Sequence, residues 1–98
     1  MEDGTICVEI GRTIVNPIRL TTHAVEQCAE RGATAEEVAH AVTHGIREEA
    51  KHGRMLCKFN FPFNGMWQGK PYAIKQVAPV IKEEPDEIVV ITVYTFFF

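Results

Sequence analysis

The chain has 98 residues, 10 Lys and Arg against 13 Asp and Glu, four His and a formal net charge of −3. That length supports one domain, residues 1–98, around a single core, and 46 % apolar with 23 % charged residues excludes a wholly disordered chain. The longest nearly unbroken apolar stretch, residues 88–98, is about half a membrane span; no basic-then-apolar leader opens the chain, and three scattered Cys without a C-x-x-C argue against a disulfide framework or zinc ribbon and for a cytoplasmic protein.

Residues 5–10 read as a short strand that Gly11-Arg12 turns back into residues 13–15, before Asn16-Pro17 breaks it. A helix follows, with Thr21 or Thr22 as N-cap, running to Arg31 and stopped by Gly32. Helical spacing groups Ala24, Val25, Cys28 and Ala29 on its buried side and His23, Gln27, Glu30 and Arg31 on its polar side. Thr34 and Glu37 form a capping box for a second helix that Gly45 ends. Its apolar side carries Ala35, Val38, Ala41 and Val42, and Glu36, His40 and His44 form a solvated row. Two helices so closely joined make an αα-hairpin.

Beyond Gly45 the pattern becomes β. Residues 46–50 form a strand, His52-Gly53 a turn, and residues 54–61 alternate, with Met55, Cys57, Phe59 and Phe61 on one face and Arg54, Lys58 and Asn60 on the other. Residues 62–71 read as a connection carrying Trp67, residues 72–81 as a strand with Pro79 at a bulge or edge, and residues 88–94 as the last strand. The fold class that follows is α+β in two layers, a helical hairpin on one face of an antiparallel sheet of about four strands, plus a short N-terminal strand or hairpin. Such a sheet can leave its other face wet, with Arg54, Lys58, Asn60, Thr92 and Tyr94 on it; Lys75, between Ala73 and Val77 in the alternation, fits that face poorly.

Several residues carry potential chemistry. His40 and His44 lie one helical turn apart, a spacing that could hold an adventitious metal; a catalytic metal needs three held ligands, so no metal or other cofactor is assigned. Cys7, Cys28 and Cys57 sit in apolar alternation and read as core residues. His23 lies in the first turn of its helix, where the positive end of the macrodipole disfavours an imidazolium. Arg31 continues the same row two turns on, about 12 Å by helical rise, so that the pair either flanks a phosphodiester or serves as cap and solvated surface.

Charge is unevenly spread. Residues 51–82 hold Lys51, Arg54, Lys58, Lys70, Lys75 and Lys82 and no acid, while all 13 acids lie on either side. With Trp67 and Tyr72 interleaved, this block either faces phosphates, with Arg54, Lys58, Trp67, Lys70 and Lys75 as RNA contacts, or pairs with the acids of the second helix and the last turn. Phe96, Phe97 and Phe98 close the sequence and point to packing on the core or to a homodimer or other protein partner at the sheet edge.

The run Thr22-His-Ala-x-x-Gln-x-x-x-Arg-Gly32, then Glu36-Glu-Val38, Gly69-Lys-Pro-Tyr72 and the closing Ile88-Val-Val-Ile-Thr-Val-Tyr94 resembles a family of uncharacterised small bacterial domains. Gln27 stands where that family places Arg, and Ala33 where it places a larger aliphatic residue. The family's layout is similar to that of RelE-like and barnase-like toxin ribonucleases, which cut RNA without a metal. This resemblance implies His23 as general acid or base, Arg31, Lys58 or Lys75 as stabilisers of the phosphate, and Tyr94 or Thr92 as positioning groups. The alternative is a non-catalytic module that self-associates through a sheet edge and the aromatic end.

Overall fold

The computed structural model describes residues 4–6, 9–10, 13–14 and 16–98, the first three segments by backbone alone. Cys7, the Gly11-Arg12 turn and Val15 lie outside the described residues. In chain order the elements are β1 (Gly4–Ile6), β2 (Glu9–Ile10), β3 (Thr13–Ile14), β4 (Ile18–Leu20), α1 (Thr22–Arg31), α2 (Ala35–His44), β5 (Ile46–Ala50), β6 (Arg54–Trp67), β7 (Lys70–Glu83) and β8 (Ile88–Phe97). One sheet has the order β1-β4-β8-β7-β6-β5, and β2 pairs with β3 apart from it. The four strands from β5 to β8 form the antiparallel meander; β4, unrecognised in the sequence, joins it parallel to β8 and makes the sheet mixed.

Both helices lie on one face of this sheet, as a two-layer α+β fold requires. Val38, Ala39, Ala41 and Val42 of α2 and Ala24 and Cys28 of α1 are buried against Cys57, Val77, Ile81, Val90 and Val93 of the strands. Thr21 caps α1 by accepting from the Ala24 N–H at 3.1 Å, and Thr34 with Glu37 forms the expected capping box on α2. Gly45 follows α2 with extended backbone, and the position takes glycine because a Cβ there would lie 2.4 Å from the Ala41 carbonyl oxygen and 2.7 Å from that of Lys58. Among the described residues no helix is long and apolar enough to cross a membrane.

Three strand features depart from the sequence pattern. The stretch read as a connection, residues 62–71, belongs to a hairpin of two 14-residue strands. A register shift between Pro62 and Gly65 absorbs the apparent breakers, and Gln68 (φ 50°) with Gly69 (φ 82°) makes the turn between Trp67 and Lys70. Pro79 lies buried in the middle of the sheet, where it cannot donate to a ladder; a bulge in the β7–β8 ladder follows it, between Val80 and Ile81.

That bulge gives β8 one extra residue, Ile91. The facing parity changes there: Ile88 and Val90 are buried before it, Val93 after it. Thr92, Tyr94 and Phe96 thereby lie on the face away from the helices.

Among the described residues β4 pairs the outer edge of β8 over Ile18–Leu20 against Ile88–Val90. Beyond that point α1 takes over. Thr21 donates its N–H to Val90 O at 3.1 Å and its hydroxyl to Ile91 O at 3.2 Å. Gln27 Oε1 accepts from the Val93 N–H at 2.8 Å and from the Thr92 hydroxyl at 2.6 Å, Arg31 Nη1 donates to Val93 O at 2.7 Å, and the Thr95 hydroxyl donates to Arg31 O. Gln27 is therefore buried on the sheet side of α1, whereas Val25 is 39 % exposed, the reverse of the helical-wheel assignment. Removing the carboxamide leaves a buried strand N–H without an acceptor, which costs on the order of 1–3 kcal/mol. Gln27→Ala should lower the unfolding free energy in urea by that amount, and Gln27→Glu, which keeps the accepting oxygen, by less.

Candidate functional site

The face of the sheet away from the helices is open and has a regular layout. Ladder register puts Leu56, Val80 and Thr92 in one cross-strand row, Ala78 beside Tyr94 in the next, and Asn60, Gln76 and Phe96 in the third. At the end of this face nearest the β5–β6 turn is a cleft of about 440 Å³. Its floor is Leu56, Val80 and Ile91, and its walls are His23, Lys51, His52, Arg54, Thr92 and Tyr94. No acidic side chain is among the described residues that line it.

Each wall residue has a local cause. His23 reaches the rim because Thr21 pins the start of α1 to the backbone at the β8 bulge. Lys51 and His52 belong to the tight turn between β5 and β6, and Arg54 opens β6 opposite Ala50. The turn places His52 in the left-handed region, φ 64° and ψ 35°, ahead of Gly53 at φ 70°. A non-glycine residue there carries a cost of about 1–2 kcal/mol, and Asn, Asp or Gly is the usual occupant. Tyr94 is 43 % exposed, with the Arg31 guanidinium 5.3 Å from its ring centroid.

The remaining residues singled out from the sequence have other placements. Arg31 is half-buried, bonded to the β8 backbone and backing Tyr94. Lys58 shares the open face but pairs with Glu48, both partly exposed, an arrangement worth about 1 kcal/mol or less and easily exchanged for a phosphate. Lys75 differs in kind. It lies on the helix side, 7 % exposed, donating to Gly32 O at 2.8 Å and paired with Glu37 at 2.8 Å. Trp67 stacks on Phe97 with ring centroids 4.9 Å apart and packs against Gly32, and Lys70 lies at the exposed hairpin tip, away from the cleft. Phe97 also meets Phe63 and Tyr72, while Phe96 and Phe98 are 51 % and 57 % exposed.

Half of the basic block is thus neutralised: Lys58 by Glu48, Lys75 by Glu37 and Lys82 by Glu84. Among the described residues no carboxylate pairs with Lys51, Arg54 or Lys70, and the first two of these line the cleft. The His40 and His44 rings stack on each other at 4.4 Å, and His40 packs edge-on against Phe59 instead of turning wholly to solvent. Among the described residues no group of three His, Cys, Asp or Glu is disposed to hold a metal ion.

Lys51 and His52 are the site residues that sequence reasoning missed. The available signal was a His at a hairpin position that ordinarily takes Asn, Asp or Gly, with Lys51 just before it and Arg54 two residues after it.

Burial pushes the Cys28 thiol above its ordinary range, helped by the charge of Glu37. Burial also raises Cys57, with Arg47 opposing and Glu83 adding to it. Both thiols are therefore neutral and slow to react at pH 8. In a Cys7→Ser background, a disulfide-exchange reagent should titrate Cys28 and Cys57 only after denaturant is added. Lys75→Ala, which removes the cation paired with Glu37 and the donor to Gly32 O, should destabilise the fold by about 2–3 kcal/mol in urea unfolding. Comparison with models of known protein families, with curated proteins and with solved structures gives no match to this chain.

Proposed function

We propose that the chain binds RNA in the cleft beside the β5–β6 turn and cleaves it without a metal, in the manner of the toxin ribonucleases whose helix-pair-then-sheet layout is similar. The observation that carries this reading is the composition of one cleft: two imidazoles, a hydroxyl, a phenol and two cations, with no acid among the described lining residues and no carboxylate paired with either cation among the described residues. An acid-free cationic cleft over an apolar floor attracts a polyanion. Two imidazoles are the groups that in-line transfer to a 2′-hydroxyl needs.

In that reaction His23 takes the proton from the 2′-hydroxyl, whose oxygen attacks phosphorus. The bond from phosphorus to the 5′ oxygen breaks, and His52 donates the proton that the departing oxygen takes up. Lys51 and Arg54 hold the charge that develops on the phosphoryl oxygens. The products are a 2′,3′-cyclic phosphate and a free 5′-hydroxyl.

Binding follows from anisotropy of a labelled single-stranded oligouridylate between about 50 and 200 mM salt, over which phosphate contacts lose affinity steeply. The double substitution Lys51→Ala with Arg54→Ala should flatten the slope of log affinity against log salt by about 1.4, since each single-strand phosphate contact contributes about 0.7. Affinity that ignores salt would sink the reading. His52→Gly separates chemistry from folding: it relieves the left-handed backbone and should raise stability by about 1 kcal/mol. The same variant, like His23→Ala, should lose cleavage in the presence of a chelator. Undiminished cleavage by both variants would remove the two imidazoles from the mechanism.

A further inference from the structure

Past Tyr94, β8 carries a second feature on the same open face. Tyr94, Phe96 and Phe98 alternate with Thr95 and Phe97, and the alternating set is 43 %, 51 % and 57 % exposed. Phe97, the odd member, turns to the helix side and packs against Phe63, Trp67 and Tyr72. Phe98 keeps the ladder going by exchanging backbone hydrogen bonds with Ile74 at 2.8 and 3.1 Å, so its ring stays in register with the other two. Three half-exposed aromatic rings in a row are not explained by packing, and a contiguous exposed apolar patch marks a contact surface.

The spacing selects the occupant. Side chains two residues apart on an antiparallel strand stand about 6.8 Å apart, twice the repeat of about 3.4 Å along one strand of a duplex. Rings at that interval match bases that have been unstacked and spread, not bases inside a helix. The row also begins at a cleft residue, since Tyr94 walls the cationic site, and Arg31 behind it holds its ring. Beside Phe96, Gln76 Nε2 donates to Asn60 Oδ1 at 2.8 Å. That bond leaves the Gln76 carbonyl oxygen and an Asn60 amide hydrogen to meet a base edge, with no other partner among the described residues. The outer edge of β8 from Thr92 to Thr95 is meanwhile occupied by Gln27 and Arg31, which closes that stretch to a partner strand.

We infer that β8 is a stacking track for single-stranded RNA, with successive bases on Tyr94, Phe96 and Phe98 and the scissile phosphate at Lys51 and Arg54. This rests on the ribonuclease reading above and adds to it a substrate class, an unpaired strand of at least three nucleotides, and a direction along the sheet. Aromatic faces stack any base, so the track is tolerant of sequence and intolerant of pairing.

The test uses Phe96→Leu and Phe98→Leu, which keep an apolar side chain at exposed positions and remove the ring. Labelled single-stranded oligouridylate and an RNA duplex of equal length are titrated by anisotropy, and mass is followed by sedimentation. Each substitution should lower single-strand affinity at least about fivefold without changing the salt slope, and the native chain should prefer the single strand to the duplex. If both variants bind as the native chain does, with the same salt slope, the track is wrong and the cleft reading stands. Equal affinity for duplex also overturns the track. A concentration-dependent mass that both substitutions abolish, with RNA affinity unmoved, would make the aromatic row a face between copies. Absence of any RNA binding removes both proposals together.

Discussion

A single side chain, Gln27, makes the rest of the architecture possible. Among the described residues β8 has a strand neighbour on its outer side over three residues, and the next stretch would present bare amide and carbonyl groups under a helix that excludes water from them. A carboxamide that accepts from Val93 N–H and Thr92, followed one turn later by Arg31 donating to Val93 O, supplies what a further strand would have supplied. The helix therefore lies along the edge of the sheet, continuing the direction of β4, and its first turn arrives at the rim of the open face. His23 shares a cleft with Tyr94 only because of this placement. The carboxamide oxygen of Gln27 is thus employed in holding α1 to the sheet.

Electrostatics sorts the basic block by burial. Lys75 is held in a nearly dry setting by two partners, and extracting it to meet a phosphate would break its pair with Glu37 and its bond to Gly32 O. Lys58 and Lys82 are tied by partly exposed pairs whose net worth is small. Among the described residues no carboxylate competes for Lys51 and Arg54, and these two line the cleft with His23 and His52. A chain with an overall excess of acid can therefore still present a cationic cleft, because among the described residues no acid lines it, and Glu37, Glu48 and Glu84 pair with other lysines of the block.

Much of this was legible in the residues. The capping box at Thr34, the stops at Gly32 and Gly45 and the clean alternation from Met55 to Phe61 are local signals, and local structure obeyed them. What escaped was set by tertiary pairing. Ile18–Leu20 is too short to show a period and becomes a strand only because β8 offers it an edge. Pro62 and Asn64-Gly65 look like the end of a strand, yet a register shift accommodates them inside one. For the site, His23, Arg54, Thr92 and Tyr94 followed from polarity and alternation, whereas Lys51 and His52 depended on knowing which turn faces the start of α1. The misplacement of Gln27 has the same origin, since a helical wheel cannot register that a polar group is buried against a strand edge.

The extra residue in β8 has a consequence for how this sequence can change. Loops ordinarily absorb insertions and deletions with little effect, because nothing downstream depends on their count. At Ile91 the count is itself structural information. Shorten the strand there by one residue and every side chain beyond it exchanges faces, sending Tyr94, Phe96 and Phe98 into the space under α1 and turning Val93 and Phe97 outward. The hydrophobic interior and the aromatic surface of β8 are thus two readings of one alternating run, separated by a single position. Substitutions along that run can be tested by evolution one at a time, but its length is frozen.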